Sequence, residues 1–224
     1  MVEEHLPKKE GTHVLEQIKE NVVKVAKQAE EQGLCIWKSG NFSRRDKETG
    51  YVCITPSGVS RADLTADHII VVDLEGNIIE QKVDSVRPTV ETDLHLEVYR
   101  HRDDLFGVAH THSTFATAHA VKGKELRPVV FQALHFGVVA PVAPYGSPGT
   151  VRLAKSIDPL IKTNDTVLLE KHGVLCGAVD LDTALLNAIY AEDVAKISYY
   201  ATTLDGVAPS EIPMSEFELT THTK

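Results

Sequence analysis

The stretch Phe106-Gly107-Val108-Ala109-His110-Thr111-His112 is an apolar run that ends in two histidines one residue apart. Phe106–His110 reads as a buried strand, and side chains at i and i+2 of a strand share a face. Both imidazoles can therefore reach one ion about 2.0–2.1 Å away. In a chain with 11 histidines, two surface residues, or one buried and bonded to backbone, would explain the same spacing. A second stretch, Leu168-Leu169-Glu170-Lys171-His172-Gly173, puts His172 in the same kind of place, after an apolar strand and before a glycine that permits a sharp turn. Three neutral imidazoles leave one or two positions open on a divalent ion, the pattern of catalytic rather than structural sites.

Working outward, Val14, Leu15, Ile18, Val22, Val25 and Ala29 recur at spacings of three and four and predict a helix stopped by Gly33. A short apolar piece, Leu34–Trp37, leads into the polar turn Lys38-Ser39-Gly40-Asn41. Tyr51–Thr55 reads as a strand. Ile69–Leu74 and Ile78–Gln81 read as a hairpin around Glu75-Gly76-Asn77. Helices are expected over 91–102, 114–121, about a dozen residues after Thr150, and Leu181–Leu204. Thr166–Glu170 and Val174–Gly177 read as strands, and two apolar pieces, 128–131 and 137–142, surround Gln132–Phe136. Strands and helices interleave without a linker or repeat. One α/β domain over 1–224 is expected, with a core of about 12–204 and a tail over 205–224. Its architecture is three-layer α/β/α, and the hairpins make the central sheet mixed and largely antiparallel.

Composition bounds the function. With 224 residues, 42% hydrophobic and 25% charged, the chain is an ordinary globular one. Lys and Arg number 23 against 32 Asp and Glu, a net charge of −9, so no basic stripe exists to neutralise nucleic-acid phosphates. Three cysteines suit reduced thiols better than a disulfide framework. No apolar run is long enough to span a membrane, and the N-terminus lacks the pattern of a signal peptide. The expectation is a soluble, cytoplasmic protein that binds neither nucleic acid nor membrane. No Gly-rich dinucleotide or P-loop motif occurs. Ser113–Thr117 holds no glutamate, which disfavours a cupin; Thr114 and Phe115 stand where a binuclear hydrolase of the alternating-histidine kind needs Asp and His.

Glu91 opens the helix after Pro88, nineteen positions before His110. A helix N-terminus favours its ionised form, whether it serves as metal ligand, proton shuttle or simply a first-turn charge. Ser39-Gly40-Asn41 and Thr55-Pro56-Ser57-Gly58 offer backbone N–H groups beside hydroxyls and an amide. They can cradle a phosphate without a basic residue, or be ordinary loops.

In this order, Ser-Gly-Asn, Thr-Pro-Ser-Gly, Glu91, the 110–112 histidines, Ala143-Pro144-Tyr145 and the run into His172-Gly173-Val174-Leu175 resemble the class II aldolase family. That family includes fuculose-phosphate and rhamnulose-phosphate aldolases, ribulose-5-phosphate 4-epimerase and the adducin head domain. The resemblance covers residues 12–204, and the Glu91–His110 interval is that of the fuculose-phosphate branch. It implies a homotetramer with active sites at subunit interfaces, and a divalent transition metal, zinc foremost with manganese or cobalt also suited, held by His110, His112 and His172. Glu91 matches the acid/base residue, which also ligates the metal when substrate is absent. Gly40, Asn41, Ser57 and Gly58 match phosphate-binding turns, and Thr89-Val90 stands where the family has two serines. Val90 keeps only its backbone N–H, losing a charge-assisted bond worth about 1.5–3 kcal/mol.

The resemblance implies retro-aldol cleavage of a ketose phosphate, with no lysine Schiff base. The alternatives are a 4-epimerase, or a non-enzymatic interaction module like the adducin head. The segment Val129–Phe136 carries neither the epimerases' aspartate nor the aldolases' tyrosine; His135 is a substitute proton donor or an interface residue. The tail likewise lacks the family's tyrosine and offers Phe217 or His222 in its place.

Overall fold

The computed structural model describes residues 10–135, 140–213 and 215–216. The side chain of His135, and Phe217 and His222, lie outside them. The first helix is α1 (Glu10–Glu31), followed by four strands, β1 (Asn41–Arg45), β2 (Val52–Ile54), β3 (Ile70–Val72) and β4 (Ile78–Glu80). Next come α2 (Thr92–His101), β5 (Gly107–Thr111), α3 (Thr114–Val121) and β6 (Val142–Ala143). The chain continues through α4 (Val151–Ser156), α5 (Asp158–Ile161), β7 (Thr166–Leu169), β8 (Gly173–Ala178) and α6 (Leu181–Asp205).

The strands form one sheet in the order β4-β3-β2-β1-β5-β8-β7-β6. Every neighbouring pair is antiparallel except β6 with β7. Apolar side chains leave both faces of the sheet, which is why its strands read as continuous apolar runs rather than alternating ones. Phe42, Cys53, Val71, Ala109, Val174 and Cys176 pack under α1, α3 and α6. Val52, Ile54, Ile70, Val108, Val167 and Leu175 pack under α2, α4 and α5. This is the expected three-layer arrangement.

Three local expectations are corrected. The polar segment after Gly40 is a strand, not the end of a turn, and β1 lies in the middle of the sheet between β2 and β5. Its alternation is inverted. Phe42 joins the core under α1, while Asn41, Ser43 and Arg45 bond to residues of α2 or just beyond it. The buried Arg45 guanidinium donates to the carbonyls of Tyr99, Arg102, Asp103 and Leu105, so it satisfies the end of α2 in the way a terminal cation does. The helix after Thr150 is broken at Ile157, because Pro159 disfavours helical backbone before it and brings no N–H. The Leu34–Trp37 piece is a turn, with Ile36 76% and Trp37 65% exposed.

Gly107 begins β5 directly against the start of α6. A Cβ there would lie 2.3 Å from backbone atoms of Asp180 and Leu181. Gly107→Ala is expected to lower stability by about 1–3 kcal/mol through overpacking, measured as a shift of the urea midpoint at unchanged m-value.

Candidate metal centre and active site

Four elements converge at one end of the sheet. Within it, His110 pairs with Asn41 of β1 on one side and Leu175 of β8 on the other. His112 follows just past the end of β5, its N–H donating to the Leu34 carbonyl. His172 sits in the tight turn between β7 and β8, after Lys171 at φ 56°. The turn closes because the next residue is glycine: a Cβ at Gly173 would meet Thr111 O at 2.3 Å and the rings of His112 and His110 at 3.1 and 3.2 Å. Glu91 is the N-cap residue of α2.

The three imidazoles each turn a nitrogen inward, and these atoms lie within 4.8 Å of one another. His110 Nδ1 donates to the Val174 carbonyl at 2.9 Å, which leaves the lone pair of Nε2 facing the centre of the group. His112 Nε2 lies 3.1 Å from His110 Nε2. Glu91 spans the group, with Oε2 3.3 Å from His110 Nε2 and Oε1 3.3 Å from His172 Nε2. Burial lowers the pKa of both His112 and His172 to about 4, so both rings are neutral at neutral pH. Burial alone would raise the Glu91 carboxyl, but its neighbours, His110 first and then the Asn41 amide, hold it well below the usual carboxylate range. Glu91 Oε1 and His172 Nδ1 are buried without a hydrogen-bond partner. Inward lone pairs around an anionic carboxylate suit a divalent cation, and this donor set fits one.

The candidate phosphate residues are distributed unevenly. Gly40 has φ +72°, and a Cβ there would lie 2.4 Å from Cys35 Sγ and 2.7 Å from His110 O, so only glycine lets this turn press against the end of β5. Asn41 donates from Nδ2 to Glu91 Oε2 at 2.8 Å. The Thr55–Gly58 turn is tied to the segment before Glu91: Thr89 N–H donates to Thr55 O, Ser57 N–H to Arg87 O, and the Ser57 hydroxyl to Pro88 O. Gly58 has φ +78° and open space around it. Thr89 is buried, its hydroxyl accepting from the Glu91 N–H at 3.4 Å. Val90 is 68% exposed and lies beside Gly149 in the turn before α4. Gly40, Asn41 and Glu91 thus adjoin the histidines, Thr89 reaches the Glu91 N–H, Ser57 is tied to the segment before Glu91, and Val90 faces out.

Four further residues escaped the sequence reading. Arg61 donates to the carbonyls of Ser39 and Gly40 and so holds that turn. Ser43, His95 and Tyr99 extend the polar contacts of Asn41 beneath the site. The 91/95 spacing, one helical turn, was the available signal for His95.

The chain matches the family described as class II aldolase and adducin N-terminal domain over residues 20–199. It belongs to that family. The 5-deoxy-D-ribulose 1-phosphate aldolase of Bacillus thuringiensis is 33% identical over 205 residues, 92% of this chain and 94% of that protein. An L-fuculose phosphate aldolase of Methanococcus maripaludis is 31% identical over 182 residues, 81% and 96% of the two chains. A solved L-fuculose 1-phosphate aldolase superposes with a TM-score of 0.86 at 31% identity, covering 92% of this chain and 95% of that one. These similarities to class II aldolases agree with the three layers and the sheet order seen here. None of the described helices is long and apolar enough to cross a membrane.

A second group, Glu97, His101 and Asp158, also brings three ligand atoms within 4.8 Å. Lys155 and Arg100 already neutralise it, at 2.5 and 3.1 Å from Glu97, so it reads as a clamp holding α2 to α4 and α5.

Fully buried His95 has its pKa lowered to about 3, chiefly by burial. The unfolded chain therefore binds the extra proton first on acidification. Stability of the metal-free protein is expected to fall as pH drops below about 6.5, with up to about 1.4 kcal/mol per pH unit from this residue. Urea unfolding at several pH values checks the slope, which His95→Gln should reduce.

Proposed function

We propose that this class II aldolase family member is a divalent-metal-dependent lyase that cleaves a ketose 1-phosphate to a three-carbon ketone phosphate and an aldehyde. The observation that carries this reading is Glu91: one oxygen is bonded to Asn41, while the other is buried without a hydrogen-bond partner beside three inward-turned imidazoles. The relatives named as ketose-phosphate aldolases support the substrate class. His110, His112 and His172 would hold the ion, with Glu91 as a further ligand in the absence of substrate. Zinc suits three histidines best, and manganese or cobalt would also be accepted. When bound, the ion supplies Lewis acidity that stabilises negative charge developing on substrate oxygens.

Cleavage breaks the C3–C4 bond. Its electron pair stays with the three-carbon fragment, the C4 hydroxyl yields its proton to solvent as the aldehyde forms, and Glu91, having taken up a proton from solvent, delivers it to C3, so the protons balance. In the synthetic direction the same oxygen removes that proton. Both ends of the Asn41 amide are committed, to Glu91 and His95, and the Ser57 N–H and hydroxyl to Arg87 and Pro88, so phosphate would be received by backbone N–H groups at Gly40, Gly58 and Val90 and by the Thr89 hydroxyl. Exposed Ile36 and Trp37 in the turn before β1, Val90 beside Glu91 and Val151 at the start of α4 offer apolar surface, which supports a homotetramer with active sites at subunit interfaces. A cytoplasmic setting accords with three free, buried cysteines.

Protein purified without a histidine tag is expected to hold about one transition-metal ion per chain, the three histidines supplying a single catalytic site. His110→Ala and His172→Ala should lose it. Glu91→Gln should retain the ion and lose about 10²- to 10⁴-fold in turnover. Elemental analysis beside an aldehyde-release assay on ketose 1-phosphates checks this, and a wild type that takes up no ion even from added zinc would overturn the lyase reading.

A further inference from the structure

Beneath Glu91 runs a line of buried polar groups. Asn41 Nδ2 donates to Glu91 Oε2 at 2.8 Å, and Asn41 Oδ1 lies 2.6 Å from His95 Nε2. His95 Nδ1 lies 2.7 Å from Ser43 Oγ, which is 2.9 Å from the Tyr99 hydroxyl. Tyr99 also donates to the Ser43 carbonyl at 3.0 Å. Ser43, His95 and Tyr99 are all 0% exposed, so this end of the line is closed to bulk solvent.

Proton counting gives the line a single direction. An ionised carboxylate only accepts, so Asn41 must turn its NH₂ toward Glu91 and its oxygen toward His95. His95 must then donate from Nε2. A neutral imidazole has one N–H, so Nδ1 accepts, and the Ser43 hydroxyl must donate to it. Ser43 has no second proton, so the single Tyr99 proton lies between Ser43 Oγ and the Ser43 carbonyl and is shared by both. The two ends of an amide are nearly isosteric, and nothing in the shape of Asn41 prevents a half-turn that would set its oxygen against the carboxylate. The carboxylate disfavours that half-turn, and the His95 N–H, donating to the Asn41 oxygen, locks the amide against it.

We propose that His95 is a positioning residue: through Asn41 it fixes which Glu91 oxygen is hydrogen-bonded and which is free to carry the proton. The inference rests on Glu91 being the proton carrier. Oε2 accepts the Asn41 bond and is the less basic oxygen; Oε1, buried without a hydrogen-bond partner, is the one that exchanges a proton with substrate carbon. A merely space-filling role would be served as well by leucine. Burial, which lowers the His95 pKa to about 3, keeps the ring in the neutral form that the line requires.

Three variants and two readouts test this. The first readout is the ring ¹⁵N NMR of His95 in the metal-free protein, expected to show the proton on Nε2; a proton on Nδ1 would overturn the proposal. The second is deuterium exchange from solvent into dihydroxyacetone phosphate by the metal-loaded protein, with metal content measured alongside. His95→Leu is expected to slow exchange about 10- to 100-fold, the range seen when a group that orients a site residue is lost. KM and bound metal should be unchanged. His95→Gln, which can still present an N–H to Asn41, should restore most of the rate. Ser43→Ala should lower the rate and move the His95 proton away from Nε2, although Ser43 does not touch Glu91. Exchange at the wild-type rate in His95→Leu, or equal loss in His95→Leu and His95→Gln, would overturn the assignment. If His95→Leu does not fold, Ser43→Ala and the NMR decide. A wild type that exchanges no deuterium would refute the lyase reading instead, and the NMR would still judge the hydrogen-bond line.

Discussion

An ionised carboxylate out of water is the constraint on which this site depends. Glu91 is only 6% exposed, and a desolvated charge costs several kcal/mol unless nearby groups replace its hydration. Each nearby element answers that cost. The N-terminus of α2 favours an anion at its cap position. β1 brings the donating Asn41 amide, while β5 and the β7–β8 turn bring His110 and His172, whose nitrogens would share a divalent ion with the carboxylate. A divalent ion would complete the compensation. The far end of α2 is held by Arg45 on four carbonyls and by the Glu97 clamp, so the helix that carries the carboxylate cannot slide.

Rigidity at the histidines comes from close backbone contact. Gly40 and Gly173 stand where a methyl group would strike the end of β5. The ligands therefore project from strand ends locked at near-minimum separation, and the bond from His110 to Val174 O orients its ring without any other side chain. Sites supported in this way keep their geometry before anything binds.

Much of this was legible in the chain. Three-and-four spacing marked α1 and α6, the Glu-Gly-Asn turn marked the β3–β4 hairpin, and His110, His112, His172 and Glu91 stood out by type and position. β1 did not, because its inward positions carry Asn41, Ser43 and Arg45 where a buried strand ordinarily carries aliphatic residues. A polar face inside the protein looks like a loop until its partners on α2 are known. His95 was hidden for the related reason that a histidine on the buried side of an amphipathic helix has many ordinary explanations. Asn41 was visible as a turn amide, but its commitment to Glu91 and His95 depends on strand register, which no local pattern encodes. Val90 shows the opposite case: its departure from a hydroxyl was plain in the sequence, and the structure adds that its side chain faces outward beside Gly149.

The order of strands has a consequence for synthesis. β5 is flanked by β1, formed about sixty residues earlier, and by β8, which begins more than sixty residues later. A nascent chain therefore carries a central apolar strand with one edge unpaired until residues 173–178 leave the ribosome, and unpaired edges invite aggregation. The segment that holds two of the three histidines is the one that waits, which makes elongation past β8 the moment at which both the sheet and its reactive end come into being.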